Sequence, residues 1–275
     1  MSKRRLLQMI ALGIKQFRDP YYQGFAAQLA FYFLLSLVPM AIVLSQLLGF
    51  FSISLDTLGG WIDEYVSGEV AEILKGLISY TPTGAMNTAF IVIALWASSR
   101  AQFSMMRITN YTFTGGKSTG NGYFRERIRA VKTMILTLFT IVFSLIILVY
   151  GELILQIIVG TLVRDDGASY RVNDFWLYIR WPVAMALYFL MVSYNYYVLP
   201  SKRVTFREIL PGSIFSSVGM LLVTGGYSIY TSYVVNYDII YGSLASIVAL
   251  MFWFFFLAWA LVLGIMLNKV WGDTK

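Results

Sequence analysis

Residues 243–268 read SLASIVALMFWFFFLAWALVLGIMLN, without one charged side chain. As a helix at 1.5 Å per residue this run is about 39 Å long, more than the ~30 Å hydrocarbon core of a bilayer. Phe252-Trp253-Phe254-Phe255-Phe256 leaves its middle apolar all round, which suits contact with lipid or with a protein core. Five more stretches have the same character: about 24–49, 86–107, 133–160, 177–199 and 211–234. Arg100 interrupts the second, and the fifth is rich in Gly and Ser with Pro211 at its start. The pattern predicts an all-α, polytopic integral membrane protein whose six transmembrane helices form one membrane domain over residues 1–275.

Charge orients the spans. Lys3, Arg4, Arg5, Lys15 and Arg18 precede the first. Arg107, Lys117, Arg125, Arg127, Arg129 and Lys132 occupy the connection from second to third and its flanks. Lys202, Arg203 and Arg207 lie between the fourth and fifth, and Lys269 and Lys275 follow the sixth. These are 16 of the 21 basic residues, all on one side. The alternate connections hold Asp56, Asp63, Glu64, Glu69, Glu72, Asp165, Asp166, Asp174 and Asp238, nine of the 14 acids. Basic loops stay in the cytoplasm, so both termini are expected there.

Composition narrows the chemistry. The chain is 58% hydrophobic and 13% charged, against about 25% charged for soluble domains. Without cysteine there is no disulfide or thiolate chemistry. Without histidine the commonest metal ligand and general base is gone. The basic N-terminus leads into a short apolar run broken by Lys15, Arg18 and Asp19, so no cleavable signal peptide is expected. The net charge of +7 falls where an inner leaflet favours it.

Between the spans, residues 61–78 place Trp61, Ile62, Tyr65, Val66 and Val70 at helical spacing, predicting an amphipathic extracytoplasmic helix. Its polar face carries Asp63, Glu64 and Glu72, the wrong sign for adhesion to anionic lipid, so a lid over the bundle is expected. Gly115–Gly122 reads as a flexible connection, and Tyr123–Lys132 as the start of a basic helix entering the third span. Thr205-Phe206-Arg207-Glu208 has the spacing of a capping box before the fifth.

Arg100 is the main candidate for function. It lies about 20 Å along the second span from its outer end, in the inner half of the bilayer. Arg100, Ser104, Arg107 and Tyr111 share one helix face, a positive stripe opening toward the cytoplasm. Two readings remain open. Arg100 snorkels to the inner headgroups, or it binds an anionic group such as a lipid phosphate, which guanidinium holds bidentately. Glu152 and Arg180 fall toward the outer halves of their spans, as a structural ion pair or a proton-coupling site. Ser216, Thr224, Ser228 and Ser232, with Gly219, Gly225 and Gly226 nearby, suit close helix packing or a hydroxyl-lined path. Pro39 in the first span and Gly225-Gly226 in the fifth are expected to break or loosen their helices. No catalytic set, metal site or cofactor motif stands out.

Four runs stand out: Ala26-Ala27-Gln28-Leu29-Ala30-Phe31-Tyr32 onward to Pro39, Leu95-Trp96-Ala97-Ser98-Ser99-Arg100 with Asn110, Tyr197-Val198-Leu199-Pro200 with Leu210-Pro211-Gly212, and Tyr241-Gly242-Ser243-Leu244-Ala245 leading to Gly264 and Asn268. Together they resemble the YihY/BrkB family of bacterial membrane proteins. The resemblance spans nearly the whole chain and implies a six-helix protein of the bacterial cytoplasmic membrane. Family members carry the labels ribonuclease BN, virulence factor and transporter, so it implies no single activity. The family's last motif has an acid shortly before its Asn. Here Gly264-Ile265-Met266-Leu267-Asn268 has none, so no role of that acid carries over.

A nuclease needs a general base or clustered carboxylates, and the cytoplasmic acids, Asp19, Glu126, Glu208 and Asp273, are scattered one to a segment. Gly116-Lys117-Ser118 has Tyr111 where a P-loop needs its first Gly. The expectation is therefore no enzyme and no nucleic-acid partner, with membrane lipids as partners and homo-oligomerisation left open. The leading function is transport or translocation of an anionic, lipid-like substrate anchored by Arg100. A non-transporting scaffold or assembly protein of envelope biogenesis is the alternative.

Overall fold

A computed structural model describes residues 3–50, 72, 75–76, 85–162, 168–233 and 244–274. Among them the regular structure is helical, with no strand. The helices are α1 (Lys3–Phe17), α2 (Tyr21–Phe50), α3 (Ala85–Thr114), α4 (Tyr123–Leu162), α5 (Ala168–Val198), α6 (Phe206–Tyr233) and α7 (Leu244–Asp273). From α2 onward each packs on the next in sequence, and α7 returns to α2, so the six close into a ring. From α3 onward the connections are short, which makes sequence neighbours antiparallel neighbours. α1 stands outside the ring against α7.

Among the described residues three helices are long and apolar enough to cross a membrane: Tyr21–Met40, Phe206–Tyr230 and Ile247–Asp273. They coincide with the first, fifth and sixth expected spans. The other three stretches are also helical, as α3, α4 and α5. The expected lid over 61–78 lies outside the described residues except for Glu72, Lys75 and Gly76.

The basic connections meet at one end of the ring, and the main core lies beneath them. Leu29, Met106, Tyr196, Leu199, Ile209 and Ile265 are fully or almost fully buried and belong to one cluster. The Gly115–Gly122 connection is made of turns. Gly115, at φ 61°, ends α3 with the Gly116 amide bonded to the Tyr111 carbonyl (2.8 Å) and its own amide to Thr112 (3.3 Å). A left-handed residue in this position satisfies the last carbonyls of a helix, and glycine adopts it without a Cβ penalty. α4 begins at Tyr123 as the sequence predicts. One arm of the capping box also forms, the Glu208 carboxylate accepting from the Thr205 amide at 3.2 Å.

The helices are not interrupted at the expected breaks. α2 runs unbroken through Pro39, and α6 through Gly225 and Gly226. A proline removes one backbone bond and a glycine only lowers helix propensity.

Candidate functional site

Where α3 ends and α4 begins, charged side chains are buried. Glu126 is 3% exposed. Its carboxylate accepts from the Arg129 guanidinium (2.9 Å), the Ser201 hydroxyl (2.7 Å) and the Asn121 amide (3.1 Å). Arg129 also donates to the carbonyls of Val198 (2.7 Å), Leu199 and Pro200 (2.8 Å). Those carbonyls close α5, where helix polarity favours a cation. Asn110 ties the second loop in, accepting from the Ser201 amide (2.7 Å) and donating to the Thr119 carbonyl (3.3 Å). Each of these charged groups is satisfied, so the corner is built to hold two loops together.

Beside it lies an unsatisfied cationic pair. Arg127 is 2% exposed. It donates to the Trp96 carbonyl at 2.6 Å, and its guanidinium carbon lies 4.4 Å from the Trp96 ring centre and 5.6 Å from that of Phe103. Its Nε is buried with no hydrogen-bond partner. Burial pulls this guanidinium below its ordinary pKa, and the like charge of Arg100 adds to that effect while Tyr123 and Tyr32 oppose it. Arg100, one turn beyond Trp96, is exposed. Among the described residues neither Arg100 nor Arg107 forms a hydrogen bond or ion pair. Two cations from adjacent helices with no answering carboxylate form a natural place for an anion.

The predicted stripe is split. Arg100 and Arg107 face outward, whereas Ser104 is 1% exposed with its hydroxyl unpartnered. Three or four helical residues advance the face by tens of degrees, enough to carry Ser104 across the edge of the packed surface. Tyr111 bonds to Asp19 at 3.0 Å. Burial first, and that carboxylate next, push its phenol up to about 12. Glu152 and Arg180 fall in α4 and α5, helices that pack together, and their side chains lie outside the described residues. Inside the ring Gln102 donates to Thr137 (3.2 Å), and Thr137 reaches the Asn195 oxygen (3.5 Å). This buried polar seam joins α3, α4 and α5.

α6 and α7 behave differently along their length. Near the basic end the Asn268 side chain accepts from the Gly212 amide at 2.7 Å. A methyl on Gly212 would meet the Gly264 carbonyl, and one on Gly264 would meet Ser216 and Tyr196. Tyr196 bonds to Ser216 (2.6 Å) and to the Leu261 carbonyl (2.7 Å). Toward the other end the two helices border an apolar cleft of about 460 Å³, lined by Gly226, Tyr227, Tyr230, Phe252, Trp253 and Phe256. Tyr227 stacks on Trp253, centroids 5.5 Å apart. Gly225 and Gly226 touch nothing within 4 Å of a built Cβ, so they do not serve the close packing expected of them. Ser216 and Gly219 do.

Sequence reasoning missed Arg127, Glu126 and Arg129 because in one dimension they read as loop charge. A signal was present. Glu126 is the lone acid within the basic run from Lys117 to Lys132, and Arg129 stands three residues on, the spacing at which helical charges pair.

The sequence profile described as Virulence factor BrkB matches residues 14–274. A ribonuclease-like protein of Bacillus subtilis (strain 168), YfkH, is 29% identical over 257 residues, 92% of this chain and 91% of that protein. A UPF0761 membrane protein of Alteromonas mediterranea is 23% identical over 261 residues, 94% and 85% of the two chains. Another, of Pseudoalteromonas translucida (strain TAC 125), is 35% identical over 68 residues, 25% and 22%. No solved structure matches. Asn110, Gly212, Gly264 and Asn268, which carry the sequence resemblance, are also the residues that lock the basic end, and the chain belongs to the BrkB family of membrane proteins.

Proposed function

We propose that this is a six-span protein of the bacterial cytoplasmic membrane, both termini inside, that translocates an anionic amphiphile with a phosphate headgroup. The observation that carries the reading is Arg100, exposed and unpaired among the described residues, beside the buried and incompletely satisfied Arg127. Arg100 shares its helix face with the exposed apolar side chains Ile93 and Trp96, which suits a lipid arriving from the leaflet better than a soluble anion. A charge at this depth is costly unless used. Losing a charge-assisted hydrogen bond costs about 1.5–3 kcal/mol. Proteoliposomes carrying wild type, Arg100→Gln or Arg127→Gln, with empty vesicles as control, test it by fluorescent-lipid translocation. The expected result is wild-type movement reduced roughly tenfold or more by either substitution. Equal rates in the variants and wild type would remove the anchor.

The saturated corner around Glu126 and Arg129 favours a second reading, a non-transporting scaffold, and wild-type vesicles no faster than empty ones would shift weight to it. RNA hydrolysis is not proposed, although one relative bears a ribonuclease-like name. The acids of the basic end are engaged separately and far from one another in role. Asp19 holds Tyr111 and the Tyr21 amide, Glu126 holds Arg129, Glu208 caps α6, and Asp273 pairs with Lys269. RNA cleavage by the purified protein that Glu126→Gln abolishes would overturn this.

A further inference from the structure

α1 is the one described helix with no buried residue, yet it is strongly amphipathic. Around its axis three faces separate at 100° per residue. Arg5, Met9, Leu12 and Gln16 are half-buried on one. That face turns toward α7, where the Arg5 guanidinium lies 4.4 Å from the Trp271 ring centre. Leu6, Leu7, Ile10, Ile14 and Phe17 form the second face, each 48–67% exposed. Arg4, Gln8, Lys15 and Arg18 form the third, exposed and basic.

An apolar row of this size is not left to water in a folded protein, and what covers it can be read from its surroundings. α1 leads through Arg18–Pro20 into α2, whose apolar span starts at Tyr21. Phe17 meets Trp259, centroids 5.6 Å apart, and Trp259 lies within the apolar span Ile247–Asp273. Trp271, which meets Arg5, belongs to that same span, so α1 lies against a membrane helix along its length. A helix with one apolar face, a basic face beside it and a position at the membrane boundary has the pattern of an interfacial helix, and its charge complements anionic headgroups.

We propose that α1 docks on the anionic lipid of the cytoplasmic leaflet, burying Leu6, Leu7, Ile10, Ile14 and Phe17 among acyl chains and setting Arg4, Lys15 and Arg18 against headgroups. The occupant is lipid rather than a second protein because the apolar row is flanked by cations and ends at an apolar span.

The chain has no cysteine, so single-cysteine variants of the full-length protein can be labelled cleanly. Ile10→Cys and Lys15→Cys would each carry an environment-sensitive fluorophore in vesicles of phosphatidylglycerol and phosphatidylethanolamine. Expected are a blue-shifted emission quenched by brominated acyl chains at position 10, and a water-like emission quenched by aqueous iodide at position 15. Replacing the anionic lipid with phosphatidylcholine should reduce the acyl-chain quenching at position 10, and Arg4→Gln/Lys15→Gln/Arg18→Gln on the Ile10→Cys background should reproduce that loss. Equal water access at both positions would overturn the proposal. So would position 10 shielded from both quenchers in proportion to protein density, since a second copy would then be the cover. Quenching at position 10 unchanged by lipid charge would remove the anionic part of it.

Discussion

α6 and α7 touch closely at the basic end and border an aromatic cleft toward the other, and glycine occurs at both places. At Gly212 and Gly264 the two backbones come so close that no side chain fits, and Asn268 uses the proximity to bond the Gly212 amide. At Gly225 and Gly226 nothing lies within reach of an added methyl, and an aromatic-walled cleft opens instead. Glycine in a membrane helix therefore signals two opposite things: a contact that excludes side chains, or a surface kept free of them. The difference lies in the partner, Asn268 and Tyr196 in one case and the stacked rings of Tyr227 and Trp253 in the other.

The contrast can be tested where it is strongest. Arg129→Ala would strip the basic end of its main clasp and leave Glu126 buried without its cation, at a cost of about 3 kcal/mol or more. A thermal midpoint in detergent close to wild type would show that the end is not held there. Gly264→Ala comes next, at about 1–3 kcal/mol from overpacking against Ser216 and Tyr196, read as lost resistance to denaturant. Gly226→Ala should move the other way. With no clash to offset the better helix propensity, it is expected to gain about 0.5–1 kcal/mol, and a loss of similar size would mean the cleft is narrower than described.

The smallest effect concerns pH at the basic end. Tyr111 keeps its proton in the folded protein to about 12, whereas an unfolded tyrosine releases it near pH ~10. Its contribution is then complete below the unfolded value and drains away as pH rises toward the folded one. Tyr111→Phe should flatten that part of the alkaline unfolding profile, compared with wild type by melting at graded pH. An unchanged slope would put the Tyr111–Asp19 bond outside the stability of this end.

Much of the fold was legible in one dimension. Each apolar run falls on a helix, although several helices extend well beyond the run, because a helix that must avoid water on most sides shows it locally. The capping box and the start of α4 were equally local. The site was less legible. Arg100 stood out because a charge in an apolar run is conspicuous, but its companion Arg127 looked like one more loop cation. What singles out Arg127 is the Trp96 carbonyl and ring on another helix. Periodicity alone put Ser104 with Arg100, and packing of the neighbouring helices put it on the buried side of the edge.

The sequence by itself determined the helical class, the apolar stretches and the gathering of basic connections on one side, since hydrophobic length and charge are properties of segments. Only the tertiary structure decided which charges are satisfied, which glycines make contact and which face of α1 is left open. Those outcomes depend on distances between helices far apart in the chain, and no local pattern carries that information.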